Sequence, residues 1–199
     1  MKILREKFFM KTYDGNSENQ PLGETLPLND LTSGFEVSPV IFALVHLNKP
    51  FDVAMIAQTV ASTCHVRVDL VGQSIDFDHP KVVTKLKSWV ISDPVKLLSG
   101  KSSQYESIDD LKQKNRESRL IGAVVTGGSN PFQYEWEDND IIVIGGANGL
   151  SRQDVEQMDD TITIPTVPEV EFLTVSTVVS SLTYHILTQR GLWNKLARG

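Results

Sequence analysis

Apolar and polar positions alternate along this chain between two periods. Residues 40–47, VIFALVHL, form an unbroken apolar run of strand length, as expected for a strand buried on both faces. Asn48-Lys49-Pro50 breaks the run. In FDVAMIAQTVASTC, Val53, Ile56, Ala57 and Val60 fall at helical spacing, and Asp52 stands where an N-cap is expected. HVRVDLVG returns to period two, with Val66, Val68 and Leu70 on one side. VVTKLKSWV predicts a second helix. Ser107 and Asp110 have the spacing of a capping box and open a third, SIDDLKQKNRES. LIGAVVT and DIIVIGG predict strands on either side of the Gly127-Gly128 turn. Ser151 and Asp154 cap SRQDVEQM, and TITI predicts a short strand. From Thr174 onward Val175, Val178, Val179, Leu182 and Ile186 share one helical face, and Gly191 ends or kinks that helix.

Strands alternating with helices predict an α/β domain on a mostly parallel sheet flanked by helices. Ligands of such sheets bind beyond the carboxyl ends of the strands. Here those ends carry Asn48-Lys49-Pro50, Gly127-Gly128, Gly145-Gly146 and Pro165. Residues 1–37 are polar and turn-rich and read as a flexible N-terminal extension, so the domain is expected over 38–199.

Composition narrows the partners. The 199 residues are 40% hydrophobic and 22% charged, as in an ordinary soluble domain. No apolar run approaches the ~18 residues that span a bilayer, and the first residues do not read as a signal peptide. Cys64 is the only cysteine; it excludes an intramolecular disulfide, suggests a reducing, cytoplasmic compartment and reads as a small core residue. The histidines at 46, 65, 79 and 185 lack metal-ligand spacing, so no metal is expected. A net charge of −6 is unfavourable for gripping RNA unless local basic patches do the work. Candidate patches are Lys2, Arg5, Lys7 and Lys11; Lys81, Lys85 and Lys87; and Arg190, Lys195 and Arg198. The Gly-rich turn GGANG fails the dinucleotide fingerprint, because Ala147 stands where a glycine is needed.

Three segments together, RLIGAVVTGG, WEDNDIIVIGGANGLS and ITIPTVPEVEFLTVSTVVSSLTY, resemble in order and spacing the C-terminal motifs of the SpoU/TrmH RNA 2′-O-ribose methyltransferases of the SPOUT superfamily. The resemblance is nearest to the small TrmL-like members, and ALVHLNKPFDVAMIAQTVAST resembles the family's first motif. It covers roughly residues 39–187. It implies a C-terminal trefoil knot, a homodimer formed through the knot helix and the first-motif helix, S-adenosyl-L-methionine as cofactor, and tRNA or rRNA as substrate. By resemblance, Val124, Thr126, Gly145, Gly146, Ile164, Pro165, Phe172 and Leu173 line the cofactor site. Asp52, Gln58, Thr174 and Ser176 occupy the catalytic positions.

The chain departs from the family at several polar positions. Asp52 stands for the usual Asn, Gln58 for an Arg in many members, Ala147 for a Glu, and Phe172 and Thr174 for Ser and Asn. An Arg can orient phosphate and stabilise a developing oxyanion, which Gln58 cannot do. Asp52, Asn148, Glu169 and Glu171 are the polar residues that could substitute. Two functions therefore stay open: a methyltransferase, or a catalytically degenerate relative that acts as an RNA-binding or assembly module.

Overall fold

A computed structural model describes residues 40–63, 66–89, 98 and 100–191. The expectations for the N-terminal extension, for Cys64 and His65, and for Lys195 and Arg198 lie outside these residues. The described elements are β1 (Val40–Val45), α1 (Pro50–Thr63), β2 (Val66–Val71), α2 (Pro80–Ser88), β3 (Ser102–Tyr105), α3 (Ile108–Lys114), β4 (Leu120–Ala123), β5 (Ile141–Gly145), α4 (Arg152–Val155), β6 (Asp160–Ile162) and α5 (Val175–Gln189). The six strands form one sheet in the order β3-β2-β1-β5-β4-β6, and every pairing is parallel. The expected α/β architecture is the observed one.

Parallel strands require crossovers, and the crossovers bury both faces of the sheet. β1 shows this residue by residue. Val40, Phe42 and Leu44 pack into a core with α1, α2 and α5, through Val53, Ile56, Val82, Leu86, Val179 and Leu182. Ile41, Ala43 and Val45 face the opposite side with Ile108 and Leu111 of α3. Val66, Val68 and Leu70 belong to the first core and Val71 to the second. Asp69 is fully buried on β2, where Arg67 grips it with two hydrogen bonds of 2.9 and 2.7 Å. Burial raises the Asp69 carboxyl above its ordinary range despite that partner.

Several boundaries differ from the pattern. Helix α1 starts at Pro50, whose fixed φ and missing N–H suit the first helical position. Asp52 therefore lies in the first turn and is not the N-cap. Ser107 accepts from the Asp110 amide, but the Asp110 carboxylate bonds to Glu106 N and not back to Ser107. That helix stops at Lys114, short of Ser118. The box of Ser151 and Asp154 is complete, yet the helix it opens has four residues. β3, SSQY, is an edge strand too polar for the pattern to reveal; its register against Val68–Val71 places it.

Asp159 anchors the start of β4. It accepts from Leu120 N at 2.8 Å and from the Lys112 ammonium at 3.2 Å. Burial raises this carboxyl, but the two hydrogen bonds outweigh it, and its pKa lies below the ordinary value. A lowered folded-state pKa contributes stability above the unfolded value, ~3.9, that is lost as pH falls through the folded one. We expect Asp159→Asn to lower the Tm by about 2 °C at neutral pH, a modest amount because the pair is half-exposed. In thermal melts the gap from wild type closes as pH drops below about 4. A gap that persists in acid would assign the effect to shape alone.

Candidate functional site

The direction of the crossovers reverses between β1 and β5. From β1 the chain passes to β2 on one side, and from β5 it passes to β6 on the other. A crevice opens at such a switch point, beyond the carboxyl ends. A cavity of about 480 Å³ lies there, within the range of small-molecule sites. Four segments wall it: Lys49 and Asp52 after β1, Ala123–Val125 after β4, Ile144–Gly149 after β5, and Ile162 to Val178 through β6 and the start of α5.

Each wall is held by its backbone. Gly146 N donates to Val45 O at 2.8 Å and Gly149 N to Gly146 O at 3.0 Å, which folds the loop after β5 back on itself. A Cβ on Gly145 would stand 2.0 Å from the carbonyl carbon of Gly149, and one on Gly146 would stand 2.6 Å from His46 O. Only glycine permits both approaches. Val124 N donates to Ile162 O at 2.9 Å and Gly128 N to Thr163 Oγ1 at 3.0 Å, tying the loop after β4 to β6. Residues 163–174 carry no regular structure; a turn from Val167 O to Val170 N, braced by Thr166 Oγ1 on Val170 O, leads them back to α5.

The structure brings Asp52, Val124, Gly145, Gly146, Ile164, Phe172, Leu173 and Thr174 together around the cavity. Gln58, Thr126, Pro165 and Ser176 stand outside its lining: Gln58 is on the exposed side of α1, Thr126 and Pro165 are exposed in loops, and Ser176 is buried. The Thr174 hydroxyl caps α5, accepting from Thr177 N at 3.4 Å and lying 2.8 Å from Thr177 Oγ1 and 3.2 Å from Ser176 Oγ. Phe172 is 66% exposed at the rim.

Sequence reasoning did not assign Lys49, Ile144, Ile162 and Val178 to the lining. The signal for the first three was their place at a strand end. The described lining is apolar, with two carboxylates, Asp52 and Glu171, one ammonium, Lys49, and no arginine. Among the described residues no group of three or more His, Cys, Asp or Glu is placed to hold a metal, and no helix is long and apolar enough to cross a membrane.

No family model matches the chain, and no curated protein matches it. Solved structures do. A candidate RNA methyltransferase from Bacillus anthracis is 22% identical, with a TM-score of 0.63 over 76% of this chain and 94% of that one. The SpoU methyltransferase AviRb from Streptomyces viridochromogenes, in complex with AdoMet, is 16% identical, with a TM-score of 0.63 over 82% of this chain and 62% of that one. A structure concerned with 2-OH methylation of C/U34 on tRNA is 17% identical, with a TM-score of 0.65 over 77% of this chain and 98% of that one. The parallel sheet, its strand-end cavity and these likenesses lead to one conclusion: the chain has the fold of the SpoU/TrmH RNA methyltransferases.

Proposed function

We propose that this protein is an S-adenosyl-L-methionine-dependent RNA 2′-O-ribose methyltransferase acting on tRNA or rRNA. The observation that carries the reading is the cavity at the switch point, in a fold shared with a SpoU methyltransferase that binds AdoMet. The residues present fit that cofactor. The apolar side chains of Ile144, Ile162, Ile164, Leu173 and Val178 suit an adenosine, and Asp52 and Glu171 outnumber Lys49, which suits a sulfonium cation. When bound, the cofactor supplies an electrophilic methyl group.

The chain's own residues account for the rest. The apolar walls exclude water, which strengthens every charge in the site. Asp52 is the lining carboxylate beside the first-motif loop, and we assign it to accept the proton of the ribose hydroxyl. Lys49 supplies the positive charge that offsets developing oxyanion, in place of the family's arginine. Thr174 serves the site by fixing the start of α5. We also infer the trefoil knot, from the path of residues 163–189, and a homodimer through α1 and α5, with the domain spanning 38–199 after an N-terminal extension in a reducing, cytoplasmic compartment.

Purified protein incubated with methyl-labelled S-adenosylmethionine and unmodified tRNA and rRNA should place label in nuclease-resistant 2′-O-methyl dinucleotides. Asp52→Asn should slow transfer about 100-fold. The absence of arginine from the described lining favours a second reading, a non-catalytic RNA-binding module. RNA binding by folded protein without transfer to any RNA would support that reading and remove the first.

A further inference from the structure

The lysines of α2 have no place in the cavity, but one of them, Lys85, meets Phe51, the chain neighbour of the lining residue Asp52. Helix α2 carries Lys81, Lys85 and Lys87 and has no acidic residue in its first turn. It packs against α1. Lys81 and Lys85 lie one helical turn apart on one face. None of these lysines, nor Lys49, forms a salt bridge among the described residues. In a chain of net charge −6 a row of ammonium groups without a carboxylate partner is a local exception.

Aromatic rings lie among them. Phe51, between Pro50 and Asp52 in the first turn of α1, is 58% exposed. Its ring meets Trp89, at the end of α2, edge to face at 6.2 Å and 81°. The Lys85 ammonium stands 5.7 Å from the Phe51 ring centroid and 5.2 Å from that of Trp89. Pro50 fixes the backbone at the helix start, directly before Phe51. Phe51 itself does not line the cavity, but Lys49 and Asp52, close to it in the chain, do.

The exposed Phe51 ring, backed by the half-buried Trp89 ring and beside ammonium groups without a carboxylate partner, complements a nucleic-acid strand with unstacked bases: a ring stacks on a base, and lysines meet phosphates. A regular duplex keeps its bases stacked internally and offers the rings nothing. We propose that Phe51, Trp89, Lys81 and Lys85 form a platform that holds unpaired RNA nucleotides flanking the one whose ribose enters the cavity. The proposal rests on the methyltransferase reading and assigns its substrate a single-stranded site, such as a loop.

Fluorescence anisotropy of the full chain with a labelled oligouridylate and with an RNA duplex of equal length tests it. Wild type should bind the oligouridylate. Phe51→Ala should weaken that binding roughly tenfold and leave duplex binding within about twofold, and Phe51→Trp should restore it. The double variant Lys81→Gln/Lys85→Gln should reduce the salt slope of oligouridylate binding by about 1.4. Circular dichroism and cofactor titration confirm that each variant is folded. Three results overturn the platform: wild type that ignores the oligouridylate, Phe51→Ala that binds it as wild type does, or Phe51→Ala that instead changes the oligomeric state in sedimentation, which would make the patch an interface between copies. Cofactor binding is read separately. Its absence in wild type counts against the methyltransferase, whereas an intact cofactor site with an indifferent Phe51→Ala counts against the platform alone.

Discussion

Gly145→Ala is expected to weaken S-adenosylmethionine binding by at least about 100-fold and to lower stability by roughly 3 kcal/mol. The added Cβ would meet Gly149 C at 2.0 Å, Gly149 O at 2.2 Å and Leu150 N at 2.4 Å. All three are backbone atoms, so no rotamer change relieves the clash. The loop after β5 must open, and with it the hydrogen bonds from Gly146 N and Gly149 N that shape the cavity wall. Val167→Ala, at an exposed position outside the lining, should leave affinity within about twofold and stability within ~0.5 kcal/mol. Calorimetric titration and denaturant unfolding of both variants check the pair. Normal affinity in a folded Gly145→Ala protein would mean that this loop does not contact the cofactor.

Asp140→Ala should cost about 3 kcal/mol, read as a fall in Tm of roughly 6–12 °C. The buried Asp140 carboxylate accepts from Arg119 Nε at 2.7 Å, from Arg119 Nη2 at 2.8 Å and from Glu137 N at 2.8 Å. Arg119 also pairs with Glu137 at 3.0 Å and lies 5.8 Å from the Tyr134 ring centroid. The excursion between β4 and β5 is thus wound around one guanidinium, whose pKa Asp140 raises above its ordinary value against the effect of burial. That excursion holds the end of α5. Gln189 donates to Tyr134 O at 3.3 Å, Arg190 to Glu137 O at 2.9 Å, and the Phe132 ring meets His185 edge-on at 5.0 Å. Asp140→Asn keeps the shape and loses the charge, and should cost about half as much. Because the contact is at the far end of α5 from Val175 and Val178, cofactor affinity should fall far less than in Gly145→Ala. A loss below ~0.5 kcal/mol in Asp140→Ala would show that water replaces the ion pair.

The elements that the pattern revealed are those whose burial is one-sided or complete. The run at β1 and the period at α5 reflect direct contact with the cores, and Val179, Leu182 and Ile186 are buried as expected. Local chemistry placed the caps at Ser107 and Ser151, but neither the cap at Thr174 nor how far each helix continues. That depends on what packs beyond it, and α4 ends after one turn. β3 was illegible because a polar edge strand is specified by its neighbour and not by itself. At the site, the resemblance pointed to Gly145, Gly146, Ile164 and Leu173. Val178 reaches the same cavity only because residues 163–174 fold back over the strand ends, a tertiary closure that no local period encodes. Gln58 illustrates the converse. Its place in a motif suggested chemistry, yet it faces away from the described lining, two turns along α1 from Asp52.

The central claim is that the switch-point cavity is a cofactor site. Calorimetric titration of the folded protein with S-adenosylmethionine and S-adenosylhomocysteine tests it most directly. The account predicts one site per chain with micromolar affinity, about −8 kcal/mol, for both ligands, lost in Gly145→Ala. No heat of binding from either ligand, with a protein that melts cooperatively, would contradict it.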